Sequence, residues 1–330
     1  MPDLTNLKAN ECVVRSTWLS VDPAMRSRMN APAETARPLD KFIANYELNE
    51  PIRGFGSLGV VEANGCKDQC AYNVGDTVYL NYGAPWQKYW LVTNCDEQIL
   101  CKVKTPQGHS DSTALTCLSV TSGVTVLLAL REKTTLAPGN GRCVLVSGAA
   151  GACGSLAGQI ARLLGASRVV GVCGSDEKCA IVTREFGFDA AVNYKNDANL
   201  TTAIRDACPD GVDVYFDNVG GVVSDAVVAN MNANSEYVVC GQIASYNTGY
   251  GESLNAESLQ QLEQAPIKRQ FFLVLNHVDK WEEAMEQLYQ WLSDGKLKVR
   301  ETVTNGLENA GQAFCDMMNG RNIGKQLVKV

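Results

Sequence analysis

The spacing of hydrophobic and polar positions changes near residue 110. Before that point the apolar residues form short runs that are rich in β-branched and aromatic side chains and are interrupted by Gly, Asn and Asp. These runs are CVVRSTWLSV, GSLGVVEA, DTVYLNYG and WQKYWLVT. Runs of this kind are typical of strands separated by turns. The pattern therefore predicts a mainly antiparallel, partly barrel-like β domain over residues 1–108.

From about residue 110 onwards, continuous apolar runs alternate with helical patterns. RCVLVSG (142–148) and RVVGVCG (168–174) have no polar interruption, as expected for strands buried on both faces of a parallel sheet. The shorter runs DAAVN, VDVYFDN and EYVVCG follow, with helical patterns between them. This alternation predicts an α/β fold with a doubly wound parallel sheet, a Rossmann domain, over residues 109–274.

Two helices are predicted from the spacing of their apolar residues. Leu156, Ile160 and Leu163 lie on one side of a helix that Gly165 closes. In the segment KWEEAMEQLYQWL (280–292), Trp, Met and Leu residues also recur at helical spacing. We interpret both apolar faces as core packing and not as functional sites.

Composition and charge narrow the classes of function. The 330 residues are 45% hydrophobic and 20% charged, which is typical of a globular protein and suggests two domains. The net charge of −7 argues against nucleic acid as a partner. The densest apolar run, VTVLLAL, is much shorter than the ~18–20 residues that span a bilayer. The N-terminal segment shows no secretory signal, so we expect a cytoplasmic protein that does not bind membranes.

Cysteine and histidine usage argues against a metal site. The 13 cysteines are an odd number scattered through apolar segments, which indicates reduced, buried thiols. The two histidines, His109 and His277, are far apart in sequence and fit no zinc-binding spacing. Cys66 and Cys70 form a C-x3-C pair without a second pair to complete four ligands. The sequence therefore predicts no metal.

A glycine-rich segment, GAAGACGSLAG (148–158), lies between a predicted buried strand and a predicted helix. Glycine allows the backbone to turn sharply and approach a pyrophosphate, and the helix N-terminus offers free N–H groups and partial positive charge. In this strand–turn–helix context the segment predicts a dinucleotide site. The alternative is a tight turn that serves only helix–strand packing.

The end of the second strand distinguishes between the two nicotinamide dinucleotides. NAD sites usually place an acidic residue there to bind the ribose 2′-hydroxyl. This chain has the small residues 173–175, followed by Lys178, which leave room and supply positive charge for a 2′-phosphate. Asp176 and Glu177 are then expected to face solvent in the first turn of a helix. We therefore predict NADP(H), with a surface role for Lys178 as the alternative.

With these features in place, the chain resembles the zinc-free medium-chain dehydrogenase/reductases, and most closely their 15-oxoprostaglandin 13-reductase branch. Zinc-dependent relatives carry Gly-His-Glu where this chain has GFGSLG (54–59). The opening hairpin of the family pattern is largely missing from this chain. The matching stretches are SVDPAMRSRM (20–29), VSGAAGACGS (146–155), VCGSDEKC (172–179), VNYK (192–195), FDNVGG (216–221), CGQIASYN (240–247), FFLVLN (271–276) and NGRNIGK (319–325).

The resemblance implies a GroES-like catalytic domain that is split in sequence. Residues 1–108 and 275–330 would form it, around the NADP-binding Rossmann domain of residues 109–274. The active site is expected in the cleft between the two domains. The protein is expected to be a monomer or a homodimer.

The resemblance also implies which residues bind the cofactor. The pyrophosphate would lie against the glycine turn, the 2′-phosphate against the end of the second strand, and the nicotinamide half against three later segments. Phe272 and Val274 have strand packing as an alternative role, and Tyr194 and Asn218 have a turn as theirs. The implied cofactor contacts are Gly151, Ala152, Cys153, Gly154, Lys178, Tyr194, Asn218, Cys240, Gly241, Gln242, Ile243, Ala244, Ser245, Tyr246, Phe272, Leu273, Val274 and Asn322.

The implied reaction is reduction of the carbon–carbon double bond of an α,β-unsaturated ketone, with 15-keto prostaglandins as the expected lipid substrates. Tyr246 is the expected catalytic residue, because a protonated phenol can donate to the oxygen on which negative charge develops. Substrate contacts are expected from Tyr82, Trp86 and the segment Phe272–Val274. The alternatives are a zinc-free NADPH quinone reductase and an NADPH-binding protein without turnover.

Overall fold

The computed structural model describes residues 6–30, 45–65, 71–81, 83–93, 100–196, 199–247 and 252–330. The chain divides into two compact units, Met1–Thr121 with Glu301–Val330, and Ser122–Arg300. Both boundaries lie further along the chain than the predicted domain limits. Residues 109–121 group with the β unit, and residues 275–300 group with the nucleotide-binding unit.

The strands in the described residues are β1 (Glu11–Ser20), β2 (Ser57–Asn64), β3 (Thr77–Leu80), β4 (Tyr89–Thr93), β5 (Leu100–Lys102), β6 (Cys143–Ser147), β7 (Arg168–Cys173), β8 (Ala190–Asn193), β9 (Val212–Asp217), β10 (Met231–Val239), β11 (Lys268–Phe271), β12 (Glu301–Asn305) and β13 (Lys325–Lys329). The α-helices are α1 (Thr113–Thr116), α2 (Thr125–Lys133), α3 (Ala152–Leu163), α4 (Asp176–Arg184), α5 (Leu200–Ala207), α6 (Gly221–Val228), α7 (Ala256–Gln264), α8 (Trp281–Ser293) and α9 (Ala310–Met318).

The first unit contains a seven-stranded sheet, as the short β-branched runs predicted. Its strand order is β12-β13-β1-β2-β3-β5, and β4 pairs with β1. All pairs are antiparallel except β12 with β13. Apolar side chains of β1, β2, β3 and β4 pack into one cluster. A buried ion pair between Lys325 and Asp22 joins β13 to the segment that follows β1.

The second unit contains a six-stranded parallel sheet in the order β11-β10-β9-β6-β7-β8, which confirms the predicted doubly wound fold. Every residue of β6 is buried, because the strand is central in this sheet. From β6 the chain adds β7 and β8 on one side, and β9, β10 and β11 on the other. The order therefore reverses between β6 and β9, and ligands of such sheets bind at the carboxyl ends of the strands beside this switch point.

The two helices predicted from apolar spacing are confirmed. In α3, Leu156 and Ile160 are buried, and Gly165 follows the helix with a φ of +108°. In α8, Ala284, Leu288 and Leu292 are buried, so the apolar face of this helix packs into the protein.

The expectation that no segment is long and apolar enough to span a bilayer was wrong. Among the described residues, the helical run Thr113–Lys133 passes that test by length and composition. It consists of α1, a wider π-type turn at Val120–Val124 and α2. The sequence predicts an apolar helical stretch over residues 114–130, but the densest run within it, VTVLLAL, understates the length of the apolar segment. Its most apolar window is 83% buried in the protein, as in the core helix of a folded domain.

Candidate cofactor and active site

The glycine turn follows β6 and leads directly into α3. Gly148 adopts a φ of +59°, and the N–H of Gly151 donates to the carbonyl oxygen of Gly148 at 2.9 Å. A Cβ atom at Gly154 would lie 2.8 Å from Ala149 Cα and closer still to the Gly148 oxygen, so only glycine fits there. No side chain caps α3, and the N-terminus of such a helix suits an anion such as a pyrophosphate.

The turn after β9 is tied to the end of β6. The backbone N–H of Asn218 donates to Ser147 Oγ at 2.8 Å, and its side-chain amide donates to the Ser147 carbonyl oxygen at 2.7 Å. These bonds hold Asn218 at the switch point, beside the glycine turn. Asn218 is the residue that the sequence assigned to the nicotinamide half.

The loop after β10, residues 240–246, also reaches this point. The N–H groups of Cys240 and Gly241 donate to the Asp217 carbonyl oxygen at 2.9 and 3.0 Å. Ile243 N–H donates to the Asn218 carbonyl oxygen at 3.3 Å. Three chain segments predicted to hold the nicotinamide half and the pyrophosphate are thus connected by hydrogen bonds.

Tyr246 is the last residue of that loop. Its side chain is only 8% exposed, and its hydroxyl accepts a hydrogen bond from the Gln242 N–H at 3.4 Å. A Cβ atom at Gly241 would lie 3.2 Å from the Tyr246 hydroxyl, so glycine leaves the room that the phenol uses. The Tyr246 side chain is therefore held against its own loop.

Thiol pairs lie next to both halves of the candidate site. A hydrogen bond to Cys153, together with burial, raises the pKa of Cys240 well above its usual value. The pKa of Cys173 is raised in the same way by a hydrogen bond to Cys179 and by burial. The ten described cysteines form no disulfide. Cys315 is the exposed one among these ten, although the sequence predicted buried thiols. Cys240 and Cys173 therefore remain protonated thiols.

The residues assigned to the 2′-phosphate lie at the carboxyl ends of β7 and β8. Ser175 caps α4 by accepting a hydrogen bond from the Lys178 N–H at 3.2 Å. A Cβ at Gly174 would lie 3.2 Å from the ring of Tyr194, which places that half-exposed ring above the end of β7. Lys195 Nζ lies 5.9 Å from the centre of the same ring.

The charges at this end of the sheet suit an anion. Burial, and to a smaller degree the positive charge of Lys195, lowers the pKa of Lys178. A phosphate between the two cations would relieve that repulsion, so the residues present fit the 2′-phosphate of NADP(H). Asp176 is exposed, and its carboxylate accepts hydrogen bonds from the side-chain amides of Asn193 at 2.7 Å and Asn196 at 3.1 Å.

Residues 272–274 follow the edge strand β11. The Phe272 N–H donates to the Val239 carbonyl oxygen at 3.0 Å, and its ring stacks on His277 with 5.0 Å between the ring centres. The Leu273 carbonyl oxygen accepts from Asn276 N–H, and that of Val274 accepts from Trp281 Nε1, both at 3.1 Å. Each carbonyl has one lone pair left for the predicted contact with the carboxamide.

Three further candidates lie in the other unit. Asn322 precedes β13, and its side-chain amide donates to the Gly324 carbonyl oxygen at 2.8 Å. Trp86 is half-buried, and its indole N–H has no hydrogen-bond partner among the described residues. Tyr82 lies outside the described residues, as do Cys66 and Cys70. In the part of the chain that is described, no group of three or more His, Cys, Asp or Glu side chains could hold a metal ion.

Sequence reasoning missed the residue with the most hydrogen bonds at the site. Asp217, the last residue of β9, is fully buried and accepts bonds from side chains and backbone of three segments. A polar residue that ends an apolar strand just before the predicted Asn218 was the available signal.

Two family models match the chain. One, described as zinc-binding dehydrogenase, matches residues 152–290, and one described as the N-terminal domain of oxidoreductase matches residues 2–101. Each match lies within one of the two units.

Proteins of similar sequence and structure support the same family assignment. A putative NADP-dependent oxidoreductase of Bacillus subtilis is 39% identical over 98% of this chain and 89% of its own length. An NADP(+)-dependent 2-alkenal reductase of Nicotiana tabacum is 35% identical over 98% of this chain and 88% of its own. The crystal structure of CurA in complex with NADPH, from Vibrio vulnificus, is 31% identical, with a TM-score of 0.85 over 100% of this chain and 93% of that one.

Proposed function

Because this chain belongs to the medium-chain dehydrogenase/reductase superfamily, we propose that it uses NADPH to reduce the carbon–carbon double bond of α,β-unsaturated carbonyl compounds. It is an NADP-dependent oxidoreductase, as its relatives in Bacillus subtilis and Nicotiana tabacum are by name. The finer assignment to conjugated carbonyl compounds is supported by the similarity to the 2-alkenal reductase.

The observation that carries the proposal is the convergence of three loops at the switch point of the parallel sheet. The glycine turn after β6, the Asn218 turn after β9 and the loop that ends in Tyr246 are linked by hydrogen bonds. The glycine turn suits a pyrophosphate. Lys178, Lys195 and Tyr194 at the ends of β7 and β8 suit the 2′-phosphate.

When bound, NADPH supplies the hydride that the β-carbon of the substrate accepts. The chain's own residues then have two tasks. The α3 N-terminus and Lys178 orient the cofactor through its phosphates. The Tyr246 hydroxyl donates a hydrogen bond to the substrate carbonyl oxygen, where negative charge grows as the enolate forms. The phenol needs no prior protonation, since its reference pKa is near 10.

Within this substrate class, we propose that lipid enones such as 15-keto prostaglandins are accepted. Support comes from the stretches that resemble the 15-oxoprostaglandin 13-reductase branch, CGQIASYN and FFLVLN among them. Phe272, Leu273 and Val274 add apolar side chains beside the position proposed for the nicotinamide.

Steady-state oxidation of NADPH with three acceptors tests the proposal. The acceptors are a short 2-alkenal, a 15-keto prostaglandin and a quinone, each assayed with and without enzyme. We expect kcat/KM to be highest for one of the two conjugated carbonyl compounds. A higher kcat/KM for the quinone would favour a quinone reductase, and tight NADPH binding without turnover of any acceptor would favour a binding protein.

A further inference from the structure

A buried aspartate is hydrogen-bonded to the end of β6 and to the turns after β9 and β10, through its side chain and its backbone oxygen. Asp217 ends β9 and is 0% exposed. Its Oδ1 atom accepts hydrogen bonds from Ser147 Oγ at 2.7 Å, Tyr215 Oη at 2.8 Å, and the N–H groups of Val219 at 2.8 Å and Gly220 at 3.0 Å.

The second carboxylate oxygen is also occupied. Oδ2 accepts from Ser224 Oγ and from Tyr237 Oη, each at 2.8 Å. Burial, and then the negative charge of Asp217, raises the pKa of both Tyr215 and Tyr237, so both phenols remain protonated donors. We call Asp217 and its six donors, Ser147, Tyr215, Val219, Gly220, Ser224 and Tyr237, the Asp217 network.

We propose that Asp217 is a positioning residue for NADPH, since its carboxylate holds the end of β6 and the turn after β9 in their binding geometry. This inference rests on the proposed function, because it takes the converging loops to be the cofactor site. The Asp217 side chain reaches the β6 end through Ser147, which in turn binds Asn218. Its backbone oxygen binds the N–H groups of Cys240 and Gly241 after β10.

If Asp217 only stabilised the sheet, it would not need hydrogen bonds to the turn after β9. Six donors converge on this one carboxylate, and charge-assisted hydrogen bonds are roughly twice as strong as neutral ones. Two of those donors, the N–H groups of Val219 and Gly220, belong to the turn that carries Asn218. Loss of the charge should therefore loosen the cofactor loops before it unfolds the sheet.

Asp217→Asn removes the charge with little change of shape. The amide oxygen can face the two backbone N–H groups, and the amide nitrogen can face the hydroxyls of Ser224 and Tyr237, which accept hydrogen bonds as well as donate them. Glu236→Gln is the matched control. Glu236 is also a buried carboxylate in this sheet, and it accepts a hydrogen bond from the Thr135 N–H at 2.9 Å, away from the three loops.

The test compares NADPH affinity, thermal melting and backbone hydrogen exchange in the full-length variants. We expect Asp217→Asn and Glu236→Gln to melt at similar temperatures, while only Asp217→Asn weakens NADPH binding, by at least about tenfold. In ligand-free protein, the amides of residues 218–220 should exchange faster in Asp217→Asn only. NADPH affinity within about twofold of the parent, or equal weakening in Glu236→Gln, would overturn the proposal.

If Asp217→Asn does not fold, a second variant tests the positioning role of Asp217. Ser147→Ala keeps the carboxylate and removes one of its donors, together with the acceptor of the Asn218 N–H. It should still weaken NADPH binding, and an unchanged affinity would contradict the positioning role. A parent protein that binds no NADPH would contradict the proposed function instead. The hydrogen exchange of ligand-free protein would then still show whether Asp217 orders these loops.

Discussion

At the scale of single residues, Lys178 provides the positive charge expected to distinguish NADPH from NADH. A charge-assisted hydrogen bond contributes about 1.5–3 kcal/mol. Lys178→Ala should therefore raise the KM for NADPH by roughly ten- to 150-fold and leave the KM for NADH nearly unchanged. Steady-state kinetics with both cofactors measures the two KM values.

The charge of Lys178 also predicts a pH dependence. Because the pKa of Lys178 lies below its ordinary value, the preference for NADPH should decline as the pH rises through that lowered pKa.

Lys268→Ala is the control for Lys178→Ala. Lys268 is an exposed lysine at the amino end of β11, whereas the cofactor site lies at the carboxyl ends of the strands. Its replacement should change neither KM. Equal effects of Lys178→Ala on NADPH and NADH would show that Lys178 does not bind the 2′-phosphate.

Tyr246 is expected to act in the chemical step. Tyr246→Phe keeps the ring and removes the hydroxyl, and loss of one such donor costs about 2.7–4 kcal/mol in other enzymes. We expect kcat to fall by up to about 100–1000-fold while NADPH still binds, as rapid kinetics and fluorescence titration would show. Tyr289→Phe, on α8, should leave kcat unchanged. Parent-like turnover by Tyr246→Phe would make Tyr246 a packing residue.

Some residue roles could be predicted from sequence and others could not. Lys178 was identifiable because its position after a buried strand and a small-residue turn is a local pattern. The role of Asp217 depends on hydrogen bonds to Ser147, 70 residues earlier, and to Tyr237, 20 residues later. No local pattern reports such partners. The hydrogen bond between the Tyr246 hydroxyl and the Gln242 N–H also depends on the folded shape of its loop.

At the scale of elements, the contact between the glycine turn and α3 is tight. Gly154→Ala would place a Cβ against backbone atoms of Gly148 and Ala149, which cannot move as a flexible side chain can. We expect it to lower the free energy of unfolding by about 1–3 kcal/mol and to weaken NADPH binding. Thermal melting and NADPH titration measure the two effects.

Gly311→Ala provides the matched control. Gly311 lies in α9, where a Cβ would meet no atom within 4 Å, and alanine is a better helix former than glycine. The melting temperature should stay the same or rise slightly. A Gly154→Ala variant that melted and bound NADPH like the parent would show that the turn tolerates a side chain, against the geometry described above.

The predictability of each element followed from how its residues are buried. Strands β6, β7 and β9 were predictable because both faces of a central parallel strand require apolar residues throughout. The helical stretch ALTCLSVTSGVTVLLAL (114–130) was also recognisable from its apolar letters, but its length and mean hydropathy were underestimated because only the densest run, VTVLLAL, was considered. The pairing of β11 ends at Phe271 although residues 272–274 continue its apolar letters, so sequence alone left strand packing open for Phe272 and Val274.

At the scale of the whole molecule, catalysis is expected to need no metal. The matching family model is described as zinc-binding dehydrogenase, but this chain carries GFGSLG (54–59) where zinc-dependent relatives have Gly-His-Glu. Dialysis against a chelator should leave kcat with an enone unchanged, and metal analysis should find much less than one zinc per chain. One zinc per chain, with activity lost on chelation and restored by zinc, would contradict this expectation.

The central claim is that NADPH delivers its hydride to the β-carbon of a conjugated carbonyl compound. The most direct measurement is NMR of the product formed from an enone and NADPH deuterated at nicotinamide C4, on the face that transfers hydride. We predict a saturated carbonyl product with one deuterium at the β-carbon. Deuterium on the carbonyl carbon of an allylic alcohol, or a saturated product without deuterium, would contradict the account.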